Sequence, residues 1–320
     1  MKNKVISIVL IIIAVIIVVI IFSDFFNERR GEMGENPYEL NIDEYKIIDT
    51  ALIKYTEIRQ IRVGGDTLRS LTWNKDKIYI ASDNMLIIIN EKGKKLNELS
   101  FSRPLYALSI MPNGNIVIAF KSMLTIVSEL GKVISNYNAI SDSSWLTSVA
   151  CNDSLIFVAD AGKRRVLVFD ENLKYLREFK GESGSYHVHG FILPSANFDL
   201  ALNSDGDLWV ANPGIHSLQL YSYFGVLTRF WEKSGNTVEG FCGCCNPANF
   251  CFLPNGNFIT SEKKIVRIKE YGPSGELIGI VASPDNFVDE GSSPDVVCDQ
   301  SGRVFVLDKD KKMIRIFSKK

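Results

Sequence analysis

Asn203-Ser204-Asp205-Gly206-Asp207-Leu208-Trp209-Val210-Ala211 joins a tight polar turn to a run of aliphatic and aromatic residues that ends on a small one. Asp-Gly favours the positive φ angles of a two-residue hairpin turn, so the stretch reads as strand, turn, strand. The same grammar returns at 73–81, 112–119, 254–260 and 300–307; a further copy at 151–160 lacks the glycine, as does 73–81. Aligned on the residue that follows the second strand, the copies fall at Ser82, Phe120, Asp160, Asn212, Ser261 and Asp308, between 38 and 52 residues apart. A four-stranded propeller blade takes roughly 40 to 50 residues, so each interval holds one blade with loops of differing length.

A second turn recurs later in the units, as in Asn90-Glu91-Lys92-Gly93-Lys94 and Gly272-Pro273-Ser274-Gly275-Glu276, and joins the third strand to the outermost one. The last unit stops after a third strand, Met313 to Phe317. Its fourth strand is expected from Leu52 to Val63, where Ile61 and Val63 alternate with Gln60 and Arg62; adding this strand closes the ring and removes exposed sheet edges. The expected fold is therefore all-β, a six-bladed propeller over 42–320 closed by an N-terminal strand near 52–63.

The units resemble NHL repeats, as in Leu155-Ile156-Phe157-Val158-Ala159-Asp160 followed by Arg165-Val166-Leu167-Val168-Phe169, and Val304-Phe305-Val306-Leu307-Asp308 followed by Ile314-Arg315-Ile316-Phe317. The resemblance covers about residues 65–320. It implies a six-bladed propeller, a fold used by binding scaffolds, by lactonase-like hydrolases and by an amidating lyase, so the fold does not choose the function.

Ahead of the repeats, Val5 to Phe22 is apolar but for Ser7. At ~1.5 Å per residue its eighteen residues span about 27 Å as a helix, close to the hydrocarbon thickness of a bilayer. The segment ends in bulky residues, Ile20-Ile21-Phe22, where signal peptidase needs small ones, and no cysteine follows for lipidation. An uncleaved anchor is expected: a cytoplasmic tip and transmembrane helix over 1–22, a polar tether over 23–41, and the propeller outside the membrane, periplasmic or extracellular. Lys2 and Lys4 before the helix are nearly balanced by Arg29 and Arg30 after it, so the orientation rests on the amino terminus. The 36 basic and 37 acidic residues nearly cancel, leaving no field that favours nucleic acid. Three short basic runs, among them Lys163-Arg164-Arg165, read as solvated loops.

In a four-stranded blade, the loop leading into the first strand and the loop joining the second to the third share one rim. The longest such insertions are the leading loops 181–196 and 232–247. The first holds His187 and His189, and the second holds Cys242, Cys244 and Cys245 in Gly240-Phe241-Cys242-Gly243-Cys244-Cys245-Asn246-Pro247. His216 falls in a second-to-third-strand loop on the same rim. All three histidines and three of six cysteines are thus expected on one face.

Thiolates and imidazoles suit zinc or copper, and alternating spacing puts His187 and His189 on one side of an extended segment. No second cysteine pair at zinc-finger spacing accompanies the cluster. An exported chain also oxidises cysteines, and Cys242 or Cys244 can pair with Cys245, Cys251 or each other. Metal site, disulfide, simple packing and reactive thiol all stay open, while Cys151 and Cys298 read as core residues of first strands. The Cys-Gly-Cys-Cys-Asn-Pro loop is similar to that of a cysteine-bearing bacterial branch of NHL-type propellers, a resemblance that gives no activity.

The lactonase resemblance implies Glu, Asn and Asp around a calcium in the central channel, and Asp160, Asn212, Glu262 and Asp308 stand at or beside the matching positions. Polar residues there also serve turn hydrogen bonds. No Gly-x-Ser-x-Gly, Walker or His-Glu-x-x-His motif occurs. The leading reading is a membrane-tethered scaffold that presents the cysteine and histidine rim to a protein, peptide or glycan. The other is an exported metal-dependent hydrolase or lyase, or a redox or metal-binding protein, using the same rim.

Overall fold

The structure, a computed structural model, describes residues 11–20, 22, 42–138, 140–183, 186 and 188–320. It divides into two units, 1–42 and 43–320. In the first, 11–20 and 22 are helical, with their apolar side chains exposed. The rest of the expected anchor and the whole tether to residue 41 lie outside the described residues. Among the described residues no helix is long and apolar enough to cross a membrane.

The second unit is six four-stranded antiparallel sheets. Five are consecutive meanders, over 68–100, 107–137, 146–179, 200–232 and 249–282, blades 1 to 5. Blade 6 takes three strands from 295–319 and its outermost strand, Tyr55–Arg62, from the N-terminal side of the unit. That strand pairs with Met313–Lys319, with Ile61 opposite Ile314, and Arg315 clasps Glu57 through two bonds of 2.8 and 2.9 Å.

Second strands are buried on both faces, which is why they read as unbroken apolar runs. Each face packs against a neighbouring blade, and the core is accordingly six wedges. Tyr79 and Ala81 of blade 1 meet Leu108 and Ile118 of blade 2, for example, while Phe305 and Leu307 of blade 6 meet Leu71 and Ile80 of blade 1.

The inner turns depart from the two-residue form expected at Asn-Gly and Asp-Gly. In blade 4, Gly206 N–H donates to Asn203 O and Asn203 N–H to Asp207 O, both at 3.1 Å, which leaves three residues in the loop. Gly206 is the left-handed residue of that loop, at φ +82, the signature of a turn closed by a glycine bulge. Blades 2, 5 and 6 repeat it at Gly114, Gly256 and Gly302. A two-residue turn with both φ positive occurs in blade 1, at Lys75 and Asp76, where the glycine is missing.

Candidate functional site

The four polar residues expected around the channel do something else. Asp160 is fully buried and accepts from Ser144 Oγ (2.7 Å), the Trp145 N–H (3.0 Å) and Arg165 Nε (2.9 Å). Asn212 accepts from the Ile192 N–H (2.8 Å) and donates to Gly190 O (3.1 Å). Glu262 takes the Cys242 N–H at 3.4 Å, and Asp308 takes the Lys311 N–H at 3.0 Å. Each ties down a loop of its own blade on the cysteine and histidine rim, and none lines the channel. A side chain that follows the second strand sits between blades, where backbone donors of the loops need an acceptor. In blade 5 the equivalent position is Glu262, one residue beyond the Ser261 expected from the repeat, because Ser261 turns to the next blade and donates to Pro294 O. Arg165, expected in a solvated run, is the ion partner of Asp160.

Glu262 also anchors the cysteine loop from below. Glu262, Arg267 and Lys269 are wholly buried, with Arg267 bidentate on the carboxylate at 2.7 and 3.0 Å and the Lys269 ammonium at 3.2 Å. Both cations donate onward to backbone oxygens of the loop, among them Gly240 O, to which Lys269 donates at 2.8 Å and Arg267 at 3.4 Å. Burial pushes the Lys269 amine down to about 7; Glu262 works against this and Arg267 adds to it. Phe241 pins the loop to the core, its ring stacked 6.0 Å from that of Trp231. A Cβ at Gly240 would lie 2.7 Å from the Cα of Gly235, so the close crossing of the loop on itself requires glycine.

On this base, Asn246 closes the cysteine turn by donating to Cys242 O at 2.7 Å and accepting from the Lys263 N–H at 2.9 Å. His216 Nδ1 lies 2.9 Å from Asn246 O, so Nδ1 is the ring nitrogen that donates. The loops of blades 4 and 5 therefore meet on one rim. Cys244 is exposed and Cys245 buried, with their sulfurs 3.3 Å apart. Burial pushes the Cys245 thiol up, but the Ser195 hydroxyl, Cys244 and the Lys263 ammonium outweigh it, so it lies below its ordinary value. The hydrogen bond to Cys245 raises the Cys244 thiol.

His189 is exposed, in a separate two-stranded hairpin of Glu182–Ser183 with Val188–His189; His187 lies outside the described residues. Among the described residues no group of three or more His, Cys, Asp or Glu is placed to hold a metal ion. Cys251, expected as a partner for the cysteine loop, instead faces Cys298.

Beside the loop opens the central channel, a cavity of about 780 Å³. Its wall includes Asn197, Ser293, Lys263 and Asp310 of the rim loops, so it opens on the same face. Lys263 belongs both to this mouth and to the Cys245 site: its amine donates to Ser195 Oγ at 3.3 Å. Two channel carboxylates were not anticipated from the sequence. Asp199 accepts from the Leu200 and Phe250 N–H groups (2.9 and 2.8 Å), and Asp295 from those of Val296 and Leu71 (2.9 and 2.7 Å). Burial, then the charge of Asp295, pushes Asp199 up to about 7, and burial also raises Asp295. Both face the second strand at the same level, Asp199 beside Ala211 and Asp295 opposite Leu307; an acid at the start of an otherwise apolar first strand is the signal that marks them.

No family model matches the chain, and no curated protein does. Solved structures similar to it include a catalytically inactive virginiamycin B lyase from Staphylococcus aureus with quinupristin, at 14% identity and TM-score 0.58, covering 80% of this chain and 82% of that one. A streptogramin B lyase matches at 13% identity and TM-score 0.58, over 85% of this chain and all of that one. The WD40 β-propeller domain of Doa1 matches at 14% identity and TM-score 0.56, over 83% and 97%. What this chain shares with lyase and WD40 domain alike is the propeller fold.

Proposed function

We propose that this chain is a membrane-tethered, extracytoplasmic propeller of the NHL type that binds a protein, peptide or glycan across the cysteine and histidine rim, over the channel mouth. The observation that carries the reading is the shared use of Lys263, which stands in the channel wall and beside Cys245 on a loop held by a buried ion cluster. A rigid base with an exposed thiol and a polar, open cavity side by side makes a preorganised binding face, which lowers the ordering cost of association. The apolar run from Val5 to Phe22 supports the tether, and the sequence pattern of the repeats supports the NHL type.

A photo-crosslinking residue placed at Ser195 on this rim, and separately at the exposed Leu130 in a turn of the opposite rim, tests the reading in cells carrying the full chain. Capture of a specific partner from 195 and not from 130 is the expected result. Equal capture from both, or capture from 130 alone, overturns the proposal.

A further inference from the structure

The first strands of the six blades line the channel, and at two junctions a cysteine near a strand's end meets a side chain of the adjacent blade. Cys151, at the end of the blade 3 first strand, lies with its sulfur 3.3 Å from Ser109 Oγ of blade 2. Cys298, at the end of the blade 6 first strand, lies with its sulfur 3.2 Å from the sulfur of Cys251 of blade 5. The two contacts are equivalent in the repeat. Cys151 is paired with Ile156 and Cys298 with Val304, the residues just before Phe157 and Phe305; Ser109 is paired with Val117 and Cys251 with Ile259, which both face the next blade. One junction thus carries a hydroxyl and a thiol, the other two thiols.

We propose that Cys251 and Cys298 are a modification site: a dithiol that closes to a disulfide linking blades 5 and 6 through the channel wall, by exchange with a small-molecule or protein disulfide. Both cysteines line the channel, which opens on the rim and gives the oxidant its path. Cys298 is half-buried, whereas Cys251 is buried between the carboxylates Asp199 and Asp295, and this burial first, then Cys298 and the two acids, hold its thiol well above the ordinary value. Cys298, the more exposed of the two on the channel wall, is therefore the attacking group. Its thiolate displaces one sulfur of the oxidant as a thiol and forms a mixed disulfide; the sulfur of Cys251, losing its proton, then attacks Cys298 and expels the second oxidant thiol. Two electrons and two protons pass from the cysteines to the oxidant, which leaves as two thiols.

The cross-link encloses the chain between two blades that otherwise meet through packing and side-chain hydrogen bonds such as Asn249 to Pro294 O at 2.8 Å. It restricts the unfolded chain and so stabilises the ring. The blade 2–3 junction also supplies a control, because C251S recreates at blades 5 and 6 the Ser–Cys contact that the fold already holds there.

The experiment uses the purified full chain in a C242S/C244S/C245S background, so that the rim thiols do not compete, incubated with oxidised glutathione and then mapped as peptides after alkylation under denaturing conditions. The expected result is loss of two thiols per chain, a single peptide pair joining Cys251 to Cys298, and a thermal midpoint raised by roughly 5 to 10 °C that reverts with dithiothreitol. C251S is expected to lose the cross-link and the shift while keeping the reduced midpoint within a few degrees. Full alkylation of both residues after oxidation overturns the proposal, as does a cross-link from Cys298 to any cysteine other than Cys251. A cross-link without any change in midpoint overturns the stabilising role.

Discussion

Glu262 is the residue on which the cysteine loop stands. Its carboxylate is wholly buried and serves Arg267, Lys269 and the Cys242 N–H, so replacing it strands the buried Arg267 charge and drives the Lys269 amine to its neutral form. E262Q is expected to destabilise the unit by about 3–5 kcal/mol in denaturant titration, and to make 232–247 the first site of limited proteolysis. Asp199 gives a second handle. Its folded value of about 7 lies above its ordinary 3.8, so the folded state holds the proton more tightly. The stability it contributes is complete below pH ~4 and lost as pH rises through 7. Between pH 4 and 7 the thermal midpoint of D199N is expected to fall less than that of the parent; parallel profiles would refute the assignment. Neither role was fully legible in the sequence. The repeat marked Ser261 because strand runs end softly in sequence, and only the side on which each chain packs separates it from Glu262. Asp199 was passed over because one acid in an apolar strand looks like a strand end until its neighbours across the channel are known.

At the scale of elements, the strands were legible because each second strand is buried on both faces and so is written as a continuous apolar run. The turns were half legible: glycine marked their positions, but the choice between a two-residue turn and a glycine bulge depends on backbone bonds that Asn-Gly alone does not specify. The outermost strand of blade 6 carries a direct test. Ile61 is buried against the wedge between blades 6 and 1 and stands opposite Ile314. I61A is expected to cost about 2–4 kcal/mol in denaturant titration. Exposed Ile58 on the same strand is the control, and I58A is expected to change stability by less than ~0.5 kcal/mol. Equal effects would mean that the strand does not pack as described.

At the scale of the whole molecule, the propeller is polarised. One rim gathers the long leading loops, the cysteine turn, His216 and the channel mouth, while the other is made of short turns. Loop length and blade order make that polarity legible in the sequence. They did not separate His189, in its own hairpin, from the cysteine loop, because an insertion's path over the surface follows no repeat. The proposal turns on this rim being presented outside the membrane, with Cys244 its accessible thiol. The direct measurement is labelling of intact cells carrying the full chain with a membrane-impermeant maleimide, after an impermeant phosphine reductant, with C244S as the reference. Labelling at Cys244 equal to that in lysed cells is the predicted result; labelling that appears only after lysis contradicts the account.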